Sequence, residues 1–584
     1  MILQALVDYY DRKAADPDSG IAPLGWEWKE IPYMAIFDHR GCFIRLEVSN
    51  KRFLVPSLGE SRGGGKKANL FWDNAEYLFG IPVDYVKIAT KEKKYLKDVF
   101  DRHSVFVKRM ASLVKVLGHV PEYVAALSFV KSLSPSSIMA DPAWETAKKP
   151  GINFILCVRD AAGSIMPISD IPEVRQKALM SSGTKGIRCL VTGEIDELKV
   201  LEPPIKGILG GNKAEYHIVA VNNKVESAGN VGKTPAFASF MKEKGENSPI
   251  GKKASFAYTT ALNMLLAKDS RQKMSVGDAT AVFWSEKKTA LEDEFVDLFG
   301  EPAKDDPDRG VAAVERLLAS VKTGSFSHES ASTRFYVLGL APNSARISVR
   351  FWHSGTVADM ERRFADWFEN LRIAHSPREK EHLSLWRLLM SIAPLGKSEN
   401  IPPNLAGAVM RSILEGSPYP ATLLSSALVR IKAEREVSYP RAKLVKAFLN
   451  HNKERKLTVS LDRENTNVGY RLGRLFAVLE KIQEEANPGI NATIRDKFYA
   501  AASSTPTTVF GNLMRLKNHH LGKLSQGRAI CFEKLLGEVI AKIPSFPPHL
   551  SLDSQGEFAI GYYHQRQDFF TKKESVEKQQ EETV

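Results

Sequence analysis

The chain has 584 residues, 81 Lys+Arg against 68 Asp+Glu and a formal charge of +13, so two to four domains with packed cores are expected. A content of 43% apolar and 26% charged residues excludes wholesale disorder, and no apolar run approaches the roughly 18 residues of a membrane span. The start Met1–Tyr10 lacks the pattern of a secretion signal, and four scattered cysteines (Cys42, Cys157, Cys189, Cys531) without a CxxC pair argue against a disulfide framework or a zinc site and fit a reducing cytoplasm.

Ile2–Tyr10 reads as a short amphipathic helix. Tyr33–Asp38 and Cys42–Val48 alternate as two strands joined by a His39-Arg40-Gly41 turn, with Phe53–Pro56 as a third strand. Tyr95–Leu117 carries apolar residues at helical spacing, among them Leu96, Val99, Phe100, Val107 and Met110, with Gly118 as its C-cap. Pro121–Leu133 is a further helix. Strands return at Asn153–Arg159, Arg188–Val191 and Tyr216–Asn222. The helix Ser255–Leu266, the strand Ala279–Phe283, the helix Val311–Lys322 and a hairpin formed by Arg334–Ala341 and Ala345–Phe351 follow. After about His375 helical periodicity dominates, over Leu383–Ile392, Asn404–Leu414, Ala421–Glu436, Ala442–Asn450, Gly469–Glu485, Ile494–Ala502, Val509–Leu521 and Gly527–Ile543, with a last short helix or strand at Glu557–Phe570. The fold class is therefore α+β, a mixed α/β N-terminal region followed by a C-terminal helical bundle. The expected domains are 1–135, 136–375 and 376–571, with a charged tail at 572–584.

Charge is unevenly placed. Pro377–Lys573 holds 29 Lys+Arg against 18 Asp+Glu, so one third of the chain carries most of the excess. Solvated helix faces also collect lysine, so placement alone leaves a nucleic-acid surface and a solubilising surface both open. In Ser61-Arg-Gly-Gly-Gly-Lys-Lys-Ala-Asn69, glycines allow close backbone approach, Arg62, Lys66 and Lys67 add charge, and Asn69 offers a donor and an acceptor. That chemistry suits DNA contact, as it suits a basic hairpin. Asn212 and Lys213, and Asn247, Lys252 and Lys253, repeat it more weakly in two later loops. On Gly469–Glu485 the stripe Leu472, Leu475, Phe476, Leu479 and Ile482 is core, whereas Arg471, Arg474 and Lys481 are expected outside or beside it.

Catalytic signatures are weak. Gly229-Asn-Val-Gly-Lys-Thr234 ends like a phosphate-binding loop, but Ser227 stands where the motif needs glycine and Pro235 follows at once; a polar loop is the better reading. No HExxH, no GxSxG and no cluster of carboxylates suited to a nuclease metal site occurs, and no cofactor or metal is expected.

Taken together, several segments resemble one family. Met-Ile-Leu-Gln-Ala-Leu-Val-Asp-Tyr-Tyr10, Asn69-Leu-Phe-Trp-Asp-Asn74, Tyr258-Thr-Thr-Ala-Leu-Asn-Met-Leu-Leu266, Asp278-Ala-Thr-Ala-Val-Phe-Trp284, Tyr470-Arg-Leu-Gly-Arg-Leu-Phe476 and Gly561-Tyr-Tyr-His-Gln-Arg566, in that order, are similar to the large subunit of the type I-C CRISPR Cascade. The resemblance implies a non-catalytic, cytoplasmic subunit of a crRNA-guided complex. Such a subunit recognises the protospacer-adjacent motif in target double-stranded DNA, promotes duplex opening and R-loop formation, and holds the displaced strand for a separate helicase–nuclease. Its implied partners are the crRNA-bound backbone subunits, the crRNA-processing subunit and a small subunit translated from an internal start, with no membrane. No Met lies between Met410 and Met514, so such a start would use another codon, for example at Val437, Val445, Leu457 or Val459. By residue chemistry and position, Arg62, Gly63, Gly64, Gly65, Lys66, Lys67 and Asn69 are the expected motif reader. Arg471, Arg474, Arg495, Lys497, Arg515, Lys517 and Lys523 are the expected displaced-strand contacts. The alternatives are a nucleotide-dependent or nuclease component using the 229–234 loop, and a purely structural assembly subunit.

Overall fold

The computed structural model describes residues 1–58, 66–178, 186–199, 202–210, 216–219, 226–227, 230–231, 246, 248–301, 306, 308–323, 331–343, 346–397, 400–402 and 404–570. Its architecture is α+β. The chain forms two compact units. The first comprises Met1–Gly207, Lys213–Ala267 and Ser344–Arg346; the second comprises Ile208–Asn212, Lys268–Asn343 and Ile347–Val584. The main division thus falls inside the region expected at 136–375.

The first unit opens with α1 (Ile2–Ala14), then β1 (Trp26–Glu30), β2 (Tyr33–Asp38), β3 (Phe43–Val48) and β4 (Arg52–Pro56). After β5 (Trp72–Asn74) come α2 (Ala75–Leu78), α3 (Tyr85–Ala111), α4 (Pro121–Ser132), β6 (Asn153–Arg159), β7 (Ile165–Pro167) and α5 (Lys252–Leu265). The main sheet has the order β3-β2-β6-β5, with β2 and β6 parallel and β7 antiparallel to β6; β1 and β4 form a separate antiparallel pair. The run Phe154–Val158 is buried throughout, as a strand covered on both faces must be. The β2–β3 turn follows its residue chemistry. The Asp38 carboxylate accepts N–H bonds from Arg40 (2.9 Å) and Cys42 (2.8 Å), which hold its pKa below the usual range. Gly41 takes φ +87°, and a Cβ there would lie 2.7 Å from the Ala125 carbonyl of α4.

Helix α3 differs from its sequence expectation. It begins ten residues earlier, where the Asp84 side chain accepts from the Lys87 N–H, and it is kinked at Lys91 (φ −148°, ψ 39°). Its buried face is Tyr95, Val99, Phe106 and Met110. Leu96 and Phe100, counted above as part of the apolar periodicity, point away from that face and are exposed, because each lies about 100° around the helix from Tyr95 or Val99. Gly118 does close the short helix Val114–Leu117, in the right-handed region rather than as a left-handed cap.

The second unit holds β8 (Lys273–Val276), β9 (Ala279–Ser285), α6 (Ala290–Phe299), α7 (Arg309–Thr323), β10 (Arg334–Asn343), β11 (Arg346–Thr356) and α8 (Val357–Leu371). The strands form one sheet in sequence order. Helices α6 and α8 were not expected; in α8, Val357, Met360, Phe364, Phe368 and Leu371 are buried at helical spacing. There follow α9 (Leu385–Ile392), α10 (Leu405–Glu415), α11 (Ala421–Glu434), α12 (Tyr439–Lys453), α13 (Val468–Ala486), α14 (Ile494–Ala502), α15 (Thr507–Leu521), α16 (Gln526–Ile540) and α17 (Leu552–Asp568). One hydrophobic core runs from Val276 in β8 to Tyr563 in α17. The shift near His375 is therefore a change of composition and not a break in packing. Helices α13 and α17 touch backbone to backbone: a Cβ on Gly473 would overlap the Phe558 carbonyl oxygen, and one on Gly561 the Tyr470 carbonyl oxygen. Among the described residues no helix is long and apolar enough to cross a membrane.

Candidate nucleic-acid interface

The residues that flank the basic glycine-rich segment come together in the first unit. The Pro56 carbonyl at the end of β4 accepts the indole N–H of Trp72 (3.2 Å) at the start of β5, so the ends of the 57–71 segment meet. On the returning side the Asn69 N–H donates to Asp73 (2.8 Å), and the Ala68 carbonyl accepts from the Arg109 guanidinium of α3. Phe71 is buried at φ +68°, an unfavourable conformation for a residue with a Cβ, and its carbonyl accepts from Leu156 N–H (3.0 Å) in β6. Asn74 then caps α2 through the Glu76 and Tyr77 N–H groups (3.1 and 3.3 Å). Glu76 is bound by the Tyr95 hydroxyl and the Arg102 guanidinium of α3.

Of the expected reader residues, Arg62, Gly63, Gly64 and Gly65 lie outside the described residues. Lys66 is exposed and its ammonium bridges Asp98 (3.1 Å) and Asp101 of α3, which raise its pKa and lower that of Asp98. Water screens such exposed pairs, so a phosphate can compete for the ammonium. Lys67 is half-buried. Asn69 is only 5% exposed. Its place at the foot of the loop is that of an anchor, which corrects the expectation of an open reading side chain.

The weaker loop candidates separate in the same way. Asn212, Lys213 and Asn247 lie outside the described residues, as does all of the 229–234 loop except Asn230 and Val231. Lys252 and Lys253 are exposed at the start of α5, where cations oppose the helix dipole. The Lys252 ammonium pairs with Glu197, and Asp196 accepts the Lys253 N–H (2.7 Å), which offsets that mismatch. The Cys189 thiol accepts from the Gly251 N–H (3.3 Å) just before this helix. Among the described residues no group of three His, Cys, Asp or Glu side chains could hold a metal ion.

In the helical region two expected strand contacts are buried. Arg471 and Arg474 are 0% exposed. The Arg471 guanidinium donates to the carbonyls of Val539 (3.3 Å) and Arg463 (3.1 Å); that of Arg474 donates to Gln565 (3.1 Å) and Glu538 (2.8 Å). Both were expected outside or beside the apolar stripe as surface contacts for a strand; their burial removes them from the surface, and their long side chains carry charge into the packing of α13 against α16 and α17. Arg495 is half-buried beside Glu480 (3.7 Å), a fully buried carboxylate that also accepts from Thr493 (2.7 Å) and Tyr562 (2.5 Å). Lys517 reaches Asn518 (2.9 Å) and lies 3.8 Å from Glu533; Lys523 donates to Asn487 (3.0 Å). Lys497 and Arg515 are exposed and form no ion pair among the described residues. Of the expected contacts in this region, those with an exposed cation are Lys497 on α14, Arg515 on α15 and Lys523 in the turn that follows α15.

Sequence reading missed the lysines of α3. Lys91, Lys93, Lys94 and Lys97 are all exposed, next to the helix face that holds Lys66. Their spacing within seven residues was visible, but a start for the helix at Tyr95 split the group.

A family model described as CRISPR-associated protein (Cas_Csd1) matches residues 6–570 of the chain. No curated protein matches it.

Proposed function

The chain belongs to the Csd1 family of CRISPR-associated proteins, the large subunit of the type I-C Cascade, and from that premise we propose that it reads the protospacer-adjacent motif of target duplex DNA through the loop rooted at Pro56 and Trp72. In this reading the protein is not catalytic. Guide RNA reads the target by base pairing, so the protein needs a short duplex reader and a cationic path for the strand released. Motif reading promotes R-loop formation, and a separate helicase–nuclease cuts.

One observation carries the reading: Pro56 and Trp72, on either side of the glycine-rich basic segment, meet at a buried point, and the Arg109–Ala68 hydrogen bond holds the returning side. A fixed foot on both sides of a glycine-rich sequence suits groove contact, because the foot fixes register while glycine permits close approach of backbone to base edges. The exposed cations Lys497, Arg515 and Lys523 form the path for the displaced strand, without Arg471 and Arg474. The partners are the crRNA-bound backbone subunits, the crRNA-processing subunit and a small subunit from an internal start, in the cytoplasm.

The test is binding of the assembled complex to two duplexes at one fixed salt concentration, one with the motif intact and one with it scrambled. Wild type is expected to prefer the intact duplex, and Arg62→Ala/Lys67→Ala to lose most of that preference. Equal affinity of the wild-type complex for both duplexes would end the proposal.

A further inference from the structure

A side chain of helix α3 and one of strand β5 grip a single peptide group. The Ala68 carbonyl accepts from the Arg109 guanidinium, and the Asn69 N–H donates to the Asp73 carboxylate (2.8 Å). That oxygen and that N–H belong to the same peptide plane, Ala68–Asn69. In a trans peptide the C=O and N–H point in opposite directions, so a cation holds one edge of the plane and an anion the other. A flip of the plane would turn the carbonyl toward the carboxylate and the N–H toward the guanidinium. Ala68 is 1% exposed and Asp73 0%, so water screens the grip little, and hydrogen bonds to ionised partners are stronger than neutral ones. Asp73 is itself fixed, because it also accepts the Asn74 N–H (2.8 Å) at the cap of α2. On α3, Arg109 shares a stripe with Asp98 and Arg102, at i, i+4 and i+11, and those two reach Lys66 and Glu76.

We infer that Arg109 and Asp73 are positioning residues for motif reading: by clamping the Ala68–Asn69 plane they set where Lys67 and Lys66, the next two residues back along the chain, stand against the duplex. Neither side chain is assigned to DNA. Lys67 lies one Cα spacing, about 3.8 Å, from Ala68, and Lys66 one spacing further, so an error in the plane passes directly to both ammonium groups. A reader displaced by about 1 Å keeps its charge and its attraction for phosphates, which falls slowly with distance. It loses hydrogen bonds to base edges, which demand both distance and angle. The clamp therefore serves discrimination between sequences rather than affinity for DNA in general. In this the inference rests on the proposed function.

The test measures the assembled complex, as wild type, Arg109→Gln, Arg109→Lys and Asp73→Asn, on duplex with the motif intact, on duplex with it scrambled and on single-stranded target, over a range of salt concentrations. Arg109→Gln is expected to cut the preference for intact over scrambled duplex by roughly tenfold and to leave single-stranded target binding within about twofold. Its salt slope on scrambled duplex should equal that of wild type, because no phosphate contact is lost. Arg109→Lys keeps a charged donor for the Ala68 carbonyl and should recover part of the preference. Asp73→Asn has the same size but turns an amide NH2 toward the Asn69 or the Asn74 N–H, and it should also lower the preference at an unchanged slope. A salt slope lowered by about 0.9 in Arg109→Gln, as for one lost phosphate contact, would overturn the inference. So would an equal loss on single-stranded target, as for a damaged fold. A wild-type complex without preference ends the motif reading itself, whereas a wild-type preference that both Arg109→Gln and Asp73→Asn keep ends this inference alone.

Discussion

Charge type did not reveal which cations face inward. Arg471 and Arg474 read like any helix-surface arginines, yet both donate into the α16–α17 side of the bundle. Lys443 and Lys446 of α12 show the same tendency: their ammonium groups donate to the carbonyls of Leu371 (3.2 Å) and Asn370 (3.2 Å) at the end of α8, where a cation complements the helix dipole. Burial nevertheless lowers their pKa values to about 7 and about 8. The unfolded chain keeps those protons up to about 10.5, so it binds more protons than the fold between pH 7 and 10, and stability is expected to rise across that window. Burial likewise lowers His382 to about 4 and His564 to about 3, the latter beside the Tyr470 hydroxyl (2.9 Å). These imidazoles stay neutral in the fold while the unfolded chain takes up protons near 6.5. Stability is therefore expected to fall as pH drops from 6.5 toward 4. Urea midpoints measured from pH 4 to 10 check both limbs; a midpoint that is flat from pH 7 to 10 would contradict the lysine assignment.

Helices and strands with a buried stripe were legible. Asn153–Arg159 and Ile494–Ala502 match their expected bounds, because apolar pattern and turn residues agree there. The start of α3 was hidden because Tyr85–Lys94 is nearly all charged or exposed and is held by its cap and its length, not by a stripe. β1 and β5 were hidden because short strands fixed by partners far along the chain have no local period to read. The packing of α13 on α17 was present only as glycines without an evident purpose. Gly473→Ala places a methyl group against the Phe558 carbonyl and must push the two helices apart. Overpacking of this kind costs about 1–3 kcal/mol or more, seen as a lowered melting temperature, while exposed Gly537→Ala on α16, with open space around it, should stabilise slightly. Equal melting temperatures for wild type and Gly473→Ala would show that the two backbones do not touch.

At the scale of the whole molecule, the charge excess of the C-terminal third overstated its free surface. Two of its expected strand-binding cations are buried, and several others are engaged by neighbours. The N-terminal unit keeps a compact set of exposed lysines on α3 beside the ends of the glycine-rich segment. Net charge reports residues and not exposure, which is why the candidate site was only half legible: the loop could be located from glycine and lysine alone, its supporting helix could not. The central claim is that the loop acts on duplex before the guide pairs. It is tested most directly by the affinity of the assembled complex for motif-bearing duplex and for single-stranded target, with and without Lys66→Ala/Lys67→Ala. The account predicts that the double change weakens duplex binding by roughly tenfold or more, as for the removal of one or two charge-assisted hydrogen bonds, and leaves single-stranded target binding within about twofold. Equal weakening on both targets, or none on the duplex, would contradict it.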